Sequence, residues 1–207
     1  MSPASPSKTS ARTLAVLALV AVVAYSADQF TKFLVTTNLT VGESVPVLGN
    51  ALVLYFVKNS GAAFSLGAGY TWIFSILAAV VVVVIIWFAR RIRSLAWVVV
   101  FGLLLGGVLG NLTDRLLREP SFGLGHVVDF ISTPWMLPAI YNVADICIVV
   151  SMALFILLTL FGVNLDGTRT TRASEAAVDA SEPVAETTPE TPSGLSTELP
   201  PTKPDQQ

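Results

Sequence analysis

LAWVVVFGLLLGGVLGNLTDR, Leu95 to Arg115, opens with sixteen residues free of charge and ends on an asparagine, an aspartate and an arginine. About 20 apolar residues, at about 1.5 Å of rise each, cross a bilayer, so the stretch reads as a membrane span over Leu95 to Leu112. Gly102, Gly106 and Gly110 recur every fourth residue, forming a small-residue ladder that lets neighbouring helices approach closely. From Leu95 to Asn111 is about 24 Å of helix. The polar end therefore lies near one boundary of a hydrocarbon core about 30 Å thick.

Three further runs, Thr13 to Leu34, Tyr70 to Phe88 and Tyr141 to Phe161, are long and apolar enough to span. The chain has 207 residues, 53% hydrophobic and 13% charged, which is membrane-protein composition. The formal charge of -2 arises because acidic residues after Phe161 outweigh a mildly basic body, so it implies neither nucleic acid nor an acidic substrate. One cysteine, Cys147, and one histidine, His126, leave no disulfide framework and no zinc site. No metal and no cofactor is expected.

Lys8 and Arg12 before the first run, with Ala24, Tyr25 and Ser26 after its apolar core, imitate a cleavable secretory signal. The run continues past that site to Phe33 and Leu34, which favours a retained anchor. Lys8 and Arg12, then Arg90, Arg91 and Arg93 between the second and third spans, then Arg169 and Arg172 after the fourth, put both termini in the cytoplasm. The longer connections, Val35 to Gly69 and Thr113 to Ile140, then face outward. In the first, VPVLGNALVLYFV breaks at Gly49 and Asn50 and suggests a small hairpin or sheet at the membrane surface. Residues 1–12 form a cytoplasmic N-terminus, 13–162 a four-span body, and 163–207 an acidic tail rich in Pro and Thr, expected to be disordered.

Polar residues recur at helical spacing: Asp28 with Lys32, Asn111 with Arg115, and Asn142 with Asp145. Three spans bring such groups to one level, which Asn59 and Asp129 reach from the connections. Asp28 with Lys32 reads first as a structural ion pair, and Asp114 with Arg115 as an interfacial charge cluster. Cys147 reads as a buried small apolar residue and His126 as a loop residue.

Asp129 and Asp145 have no Lys or Arg within helical reach. Two carboxylates sharing a low-dielectric site disfavour double ionisation, so one of them holds a proton near neutral pH. An ionised and a protonated carboxyl side by side make a base and an acid for cleaving an amide with water. Serine and cysteine mechanisms lack a partnered nucleophile, and a metal would find few ligands. An ion pathway is the main rival, but it predicts polar groups around the midplane, often with repeated halves. A non-catalytic scaffold leaves the two aspartates unexplained.

Five blocks, DQFTK at Asp28, NSGAAF at Asn59, GGVLGNLTDR at Gly106, HVVDF at His126 and YNVAD at Tyr141, stand in an order and spacing that resemble the lipoprotein signal peptidase (signal peptidase II) family. Thr31 stands where serine is frequent there, and Tyr141 where phenylalanine is. The resemblance spans Asp28 to Asp145 and implies four transmembrane helices with a small extracytoplasmic β-sheet cradle. It implies Asp129 and Asp145 as catalytic dyad, with Asp28, Lys32, Asn59, Gly61, Gly107, Asn111, Arg115 and Asn142 shaping the pocket or supporting the pair. The implied substrate is a diacylglyceryl-modified prolipoprotein, cut on the amino side of the lipidated cysteine, and globomycin-type cyclic peptides are the implied inhibitors. The expected chain is a monomer in the bacterial plasma membrane with its site near the outer face. Gly61, Ala62 and Ala63 are small enough for a peptide to lie close, or for a turn.

Overall fold

The computed structural model describes residues 10–61 and 70–169. Lys8, Arg172, Ala62, Ala63 and the segment 170–207 lie outside the described residues. Four helices, α1 (Ala11–Asn38), α2 (Thr71–Ala89), α3 (Leu95–Leu117) and α4 (Val143–Leu160), alternate with four strands, β1 (Ser44–Pro46), β2 (Val53–Asn59), β3 (Val127–Thr133) and β4 (Leu137–Tyr141). All four helices are long and apolar enough to cross a membrane.

α3 is the central helix. Of its most apolar window 56% is buried, against 22% in α1, 17% in α2 and 11% in α4. The glycine ladder explains this. A Cβ on Gly106 would stand 2.6 Å from Ala21 O and Ala24 Cβ of α1, and one on Gly102 would stand 2.8 Å from Val20 Cβ. On the adjacent face, a Cβ on Gly107 would lie 2.6 Å from Ala144 O of α4. The backbones of α1 and α4 thus approach α3 as closely as they do because these positions lack a side chain. Val22, Val23, Phe30 and Phe33 of α1, and Val83, Val84 and Ile86 of α2, stay exposed, as they should where the surrounding solvent is hydrocarbon.

The helices differ at their ends from the apolar runs. α1 continues to Asn38 and α3 to Leu117, because helical hydrogen bonding does not stop where apolar composition does. α1 also runs unbroken through Ala24, Tyr25 and Ser26. α4 begins at Val143 rather than Tyr141, since Leu137–Tyr141 is strand and Asn142 is the helix N-cap. Residues 163–169, assigned to the tail on composition, fold back on the start of α3. Leu165 O accepts the N–H groups of Arg93 and Ser94 at 2.8 and 2.9 Å, and Val163 O accepts Trp97 Nε1 at 2.9 Å. Val163 and Leu165 are thus attached to the start of α3.

The strands form one antiparallel sheet in the order β1-β2-β3-β4. The expected hairpin is β1 and β2, with Gly49 at φ 55 in the connection. β3 and β4 lie in the second connection and complete the sheet. Phe56, Val128 and Phe130 pack with Val35 near the end of α1 into a small core, fixing the sheet to the bundle end where α1 and α3 finish and α4 starts.

Candidate active site

Asp129 sits on β3, an inner strand, opposite Val57 of β2. Alternation along β2 puts Asn59 on the same face as Val57, a diagonal neighbour of Asp129. Asn59 Nδ2 donates to Asp129 Oδ2 at 2.8 Å, and Asn59 Oδ1 accepts Gly61 N–H at 2.9 Å. Asp145 arrives by another route, as the third residue of α4 in a reciprocal cap. Asn142 Oδ1 accepts Asp145 N–H at 3.0 Å, and Asp145 Oδ2 accepts Asn142 N–H at 3.1 Å. The polar cap satisfies helix donors that would otherwise face an apolar interior.

That cap also links the two aspartates. With its oxygen engaged by Asp145 N–H, the Asn142 side chain turns Nδ2 toward Asp129 Oδ1 at 2.7 Å and Asn111 Oδ1 at 3.0 Å. Asn111 Nδ2 in turn donates to Asp145 Oδ1 at 2.8 Å. Each carboxylate is held by asparagine N–H groups from two directions, and the amide orientations follow from the network.

Beneath this layer lies a buried ionic layer. Lys32 Nζ contacts Asp28 Oδ2 at 2.9 Å, Asp114 Oδ2 at 2.8 Å and Asn111 Oδ1 at 2.9 Å, so its three donors have three acceptors. The Asp28–Lys32 pair expected from their spacing is therefore half of a larger cluster. The salt-bridge partners of Asp114 are Lys32 and Arg118, the latter at 2.6 Å, while the adjacent Arg115 feels the charge of Asp114 but makes its hydrogen bond elsewhere. Arg115 points the other way, donating to Gly61 O at 2.8 Å and lying over the Phe74 ring.

A cavity of about 540 Å³ opens onto the aspartates. Asn59, Gly61, Asn111, Arg115, Asp129 and Asp145 form its polar floor, and Leu137 and Ile140 of β4 face Ile146 and Val149 of α4 along an apolar wall. Burial first, then the neighbouring Asp145 carboxylate, pushes the Asp129 carboxyl up to about 7, against the hydrogen bonds from Asn59 and Asn142 and the charge of Lys32. Asp28, Lys32 and Asn142 are fully buried and do not line the cavity. Gly107 also lies behind it, against Ala144 and Cys147 of α4; Cys147 is half-buried rather than buried. Among the described residues no group of three or more His, Cys, Asp or Glu side chains is placed to hold a metal ion.

Sequence reasoning did not give Asp114 its contacts to Lys32 and to the Val128 N–H, the latter at 3.2 Å. A readable signal did exist for the cap. Asn at Asn142 followed three residues on by Asp145, just before an apolar run, is the pattern of a helix start.

A four-helix bundle whose polar groups converge on one cavity at one end defines a multi-pass membrane enzyme. Comparison with known proteins names its kind. The signal peptidase (SPase) II family matches residues 20–161, and the chain belongs to that family, the lipoprotein signal peptidases, which remove signal peptides from prolipoproteins. The lipoprotein signal peptidase of Leifsonia xyli subsp. xyli is 55% identical over 185 residues, 88% of this chain and 85% of that one. That of Mycolicibacterium smegmatis is 42% identical over 163 residues, 79% of this chain and 68% of that one. Two solved structures of a bacterial membrane enzyme, determined by the in meso method at 2.3 and 1.9 Å resolution, superpose with TM-scores of 0.62 and 0.60 at 28% identity. Each covers 74% of this chain, and 90% and 96% of its own.

Proposed function

We propose that this signal peptidase works as an aspartic endopeptidase with Asp129 and Asp145 as its dyad. The observation that carries the reading is Asn142, which binds Asp129 through its amide and Asp145 through its cap at the floor of an open cavity. The pair titrates as a unit and holds one proton near neutral pH. The ionised carboxylate takes a proton from water, whose oxygen attacks the scissile carbonyl carbon while the protonated carboxyl donates to the carbonyl oxygen. Collapse of the tetrahedral intermediate passes a proton to the leaving nitrogen, and the amide bond breaks.

The substrate is a diacylglyceryl-modified prolipoprotein cut on the amino side of its lipidated cysteine. Acyl chains that stay in the bilayer hold the scissile bond at headgroup level, and the apolar wall of β4 and α4 suits a lipid-bearing peptide. Asn59, Gly61, Asn111 and Arg115 form the floor on which the peptide lies, while Asp28, Lys32, Gly107 and Asn142 support the dyad from behind. Arg12, Arg90, Arg91, Arg93 and Arg169 favour cytoplasmic termini and a site near the outer face. The protein acts as a monomer, and globomycin-type cyclic peptides compete for the cavity.

The test is cleavage of a purified diacylglyceryl-modified prolipoprotein by the detergent-solubilised protein, with the new N-terminus read by mass spectrometry. Asp129→Asn and Asp145→Asn, each folded, should lose nearly all activity. Near-wild-type cleavage by either one removes the dyad assignment.

A further inference from the structure

Two carboxylates outside the dyad make the same contact to its two halves. Asp28 Oδ1 accepts the backbone N–H of Ala144 at 2.9 Å, and Asp114 Oδ2 accepts that of Val128 at 3.2 Å. Ala144 immediately precedes Asp145, and Val128 immediately precedes Asp129. Both carboxylates are fully buried and share one ammonium, Lys32 Nζ, at 2.9 and 2.8 Å. Such a cluster is weak evidence for stability, because the desolvation of its charges offsets their attraction.

We propose that Asp28, Lys32 and Asp114 form a clamp that sets the spacing between Asp129 and Asp145, with Asp114 the positioning residue for Asp129. The inference rests on the dyad reading above. Pairing with β2 and with β4, which leads through Asn142 into α4, ties Asp129 to Asp145 on one side, but it ties neither of them to α1 and α3. The clamp supplies that link. Asp114 stands on α3 and reaches β3; Asp28 stands on α1 and reaches the first turn of α4; Lys32 ties the two together. Asp114 is itself held on both oxygens, by Lys32 and by Arg118 at 2.6 Å, so it is a fixed acceptor for the strand. Neither Asp114 nor Lys32 lines the cavity. Asp114 therefore acts on the reaction through geometry, whereas Lys32 also acts through its charge on Asp129, and misplacing reacting groups by about 1 Å costs about a hundredfold in rate.

The test compares wild type with Asp114→Asn, Asp114→Glu and Arg118→Gln, all full-length in detergent, using the lipidated prolipoprotein and an Asp129→Asn control. Asp114→Glu keeps the charge that holds Lys32 but displaces the acceptor of Val128 N–H by one methylene. Both Asp114 variants should lose kcat by about ten- to a hundredfold with KM within about twofold, since the peptide does not touch them. Arg118→Gln removes one of the two groups that hold Asp114 but leaves the Lys32 contacts in place, so its kcat loss should be smaller than that of either Asp114 variant. A folded Asp114 variant with near-wild-type kcat, or a loss confined to KM, overturns the clamp while the dyad stands. An active Asp129→Asn instead overturns the dyad reading itself. If neither Asp114 variant folds, hydrogen exchange on the wild-type protein decides. The Val128 and Ala144 amides should exchange at least about a hundredfold more slowly than the exposed amides of residues 121–122, and exchange at loop rates overturns the clamp.

Discussion

Asn142 donates to Asp129 Oδ1 at 2.7 Å while its own side-chain oxygen accepts the N–H of Asp145 at 3.0 Å. Flipping the amide would set its oxygen against a carboxylate and its nitrogen against an N–H. Asn142→Ala removes both contacts. It should lower kcat by about ten- to a hundredfold and cost about 1 kcal/mol of stability through the lost helix cap. Steady-state cleavage and thermal unfolding in detergent measure the two effects, and wild-type kcat in this variant would sink the linking role.

Asp129 has a carboxyl pushed up to about 7 by burial and by Asp145, from an ordinary value of 3.8. Between about pH 4 and 7 the folded protein therefore retains a proton that the unfolded chain releases, so this group makes stability fall as pH rises. Asp129→Asn removes the dependence. The variant should be more stable than wild type at pH 8, on the order of a few kcal/mol, and about equal to it near pH 4. Melting temperatures at both pH values check the sign. In wild type kcat/KM should also decline on the alkaline side, through about pH 7, as the dyad of the free protein loses its shared proton; a flat profile to pH 9 would contradict it.

Lys32 is the counter-ion of two fully buried carboxylates. Lys32→Met leaves both without a partner on that side and should cost about 3–5 kcal/mol. Adding Asp28→Asn to Lys32→Met should return part of that stability, because one buried charge is then removed. Chemical denaturation of the two variants tests this non-additivity, and equal instability would argue against a shared charge cluster.

Gly102 and Gly107 separate packing from catalysis. Alanine at either position crowds a neighbouring helix, with Val20 of α1 at 2.8 Å from a Gly102 Cβ and Ala144 O at 2.6 Å from a Gly107 Cβ. Each substitution should cost about 1–3 kcal/mol. Only Gly107→Ala displaces the start of α4, so only there should kcat drop, by about tenfold or more. Paired melting and cleavage data decide, and an equal kcat loss in Gly102→Ala would refute the distinction.

How much was legible depended on the range of the interaction. The spans could be read from composition, because a helix in hydrocarbon satisfies its own backbone and needs only apolar side chains. Asp28 and Lys32 could be paired because both lie on α1, one turn apart. β3 and β4 were harder to read. HVVDF and LPAIY are short apolar runs, and short apolar runs suit a strand or part of a helix equally. Only Tyr141, the last residue of β4, was read into the fourth span. Asp114 was read with its sequence neighbour Arg115, yet besides Arg118 one turn on it contacts Lys32, 82 positions earlier, and the Val128 amide; these last two are long-range. Those contacts exist only once α1, α3 and the sheet have assembled, and no local spacing encodes them.

α4 is fastened at both ends. At its start Ala144 N–H is held by Asp28, and just past its end the Val163 and Leu165 carbonyls are held by Trp97 and by the amides of Arg93 and Ser94. Between those fastenings lie 18 helical residues, about 27 Å of rise. A helix pinned in this way cannot slide or tilt independently to suit a thinner or thicker hydrocarbon layer, so mismatch is met by the bundle tilting as one body or by the lipid around it. The depth of Asp145 within the bundle is thus a dimension of the protein, and bilayer thickness acts only on how the other molecule is presented to it.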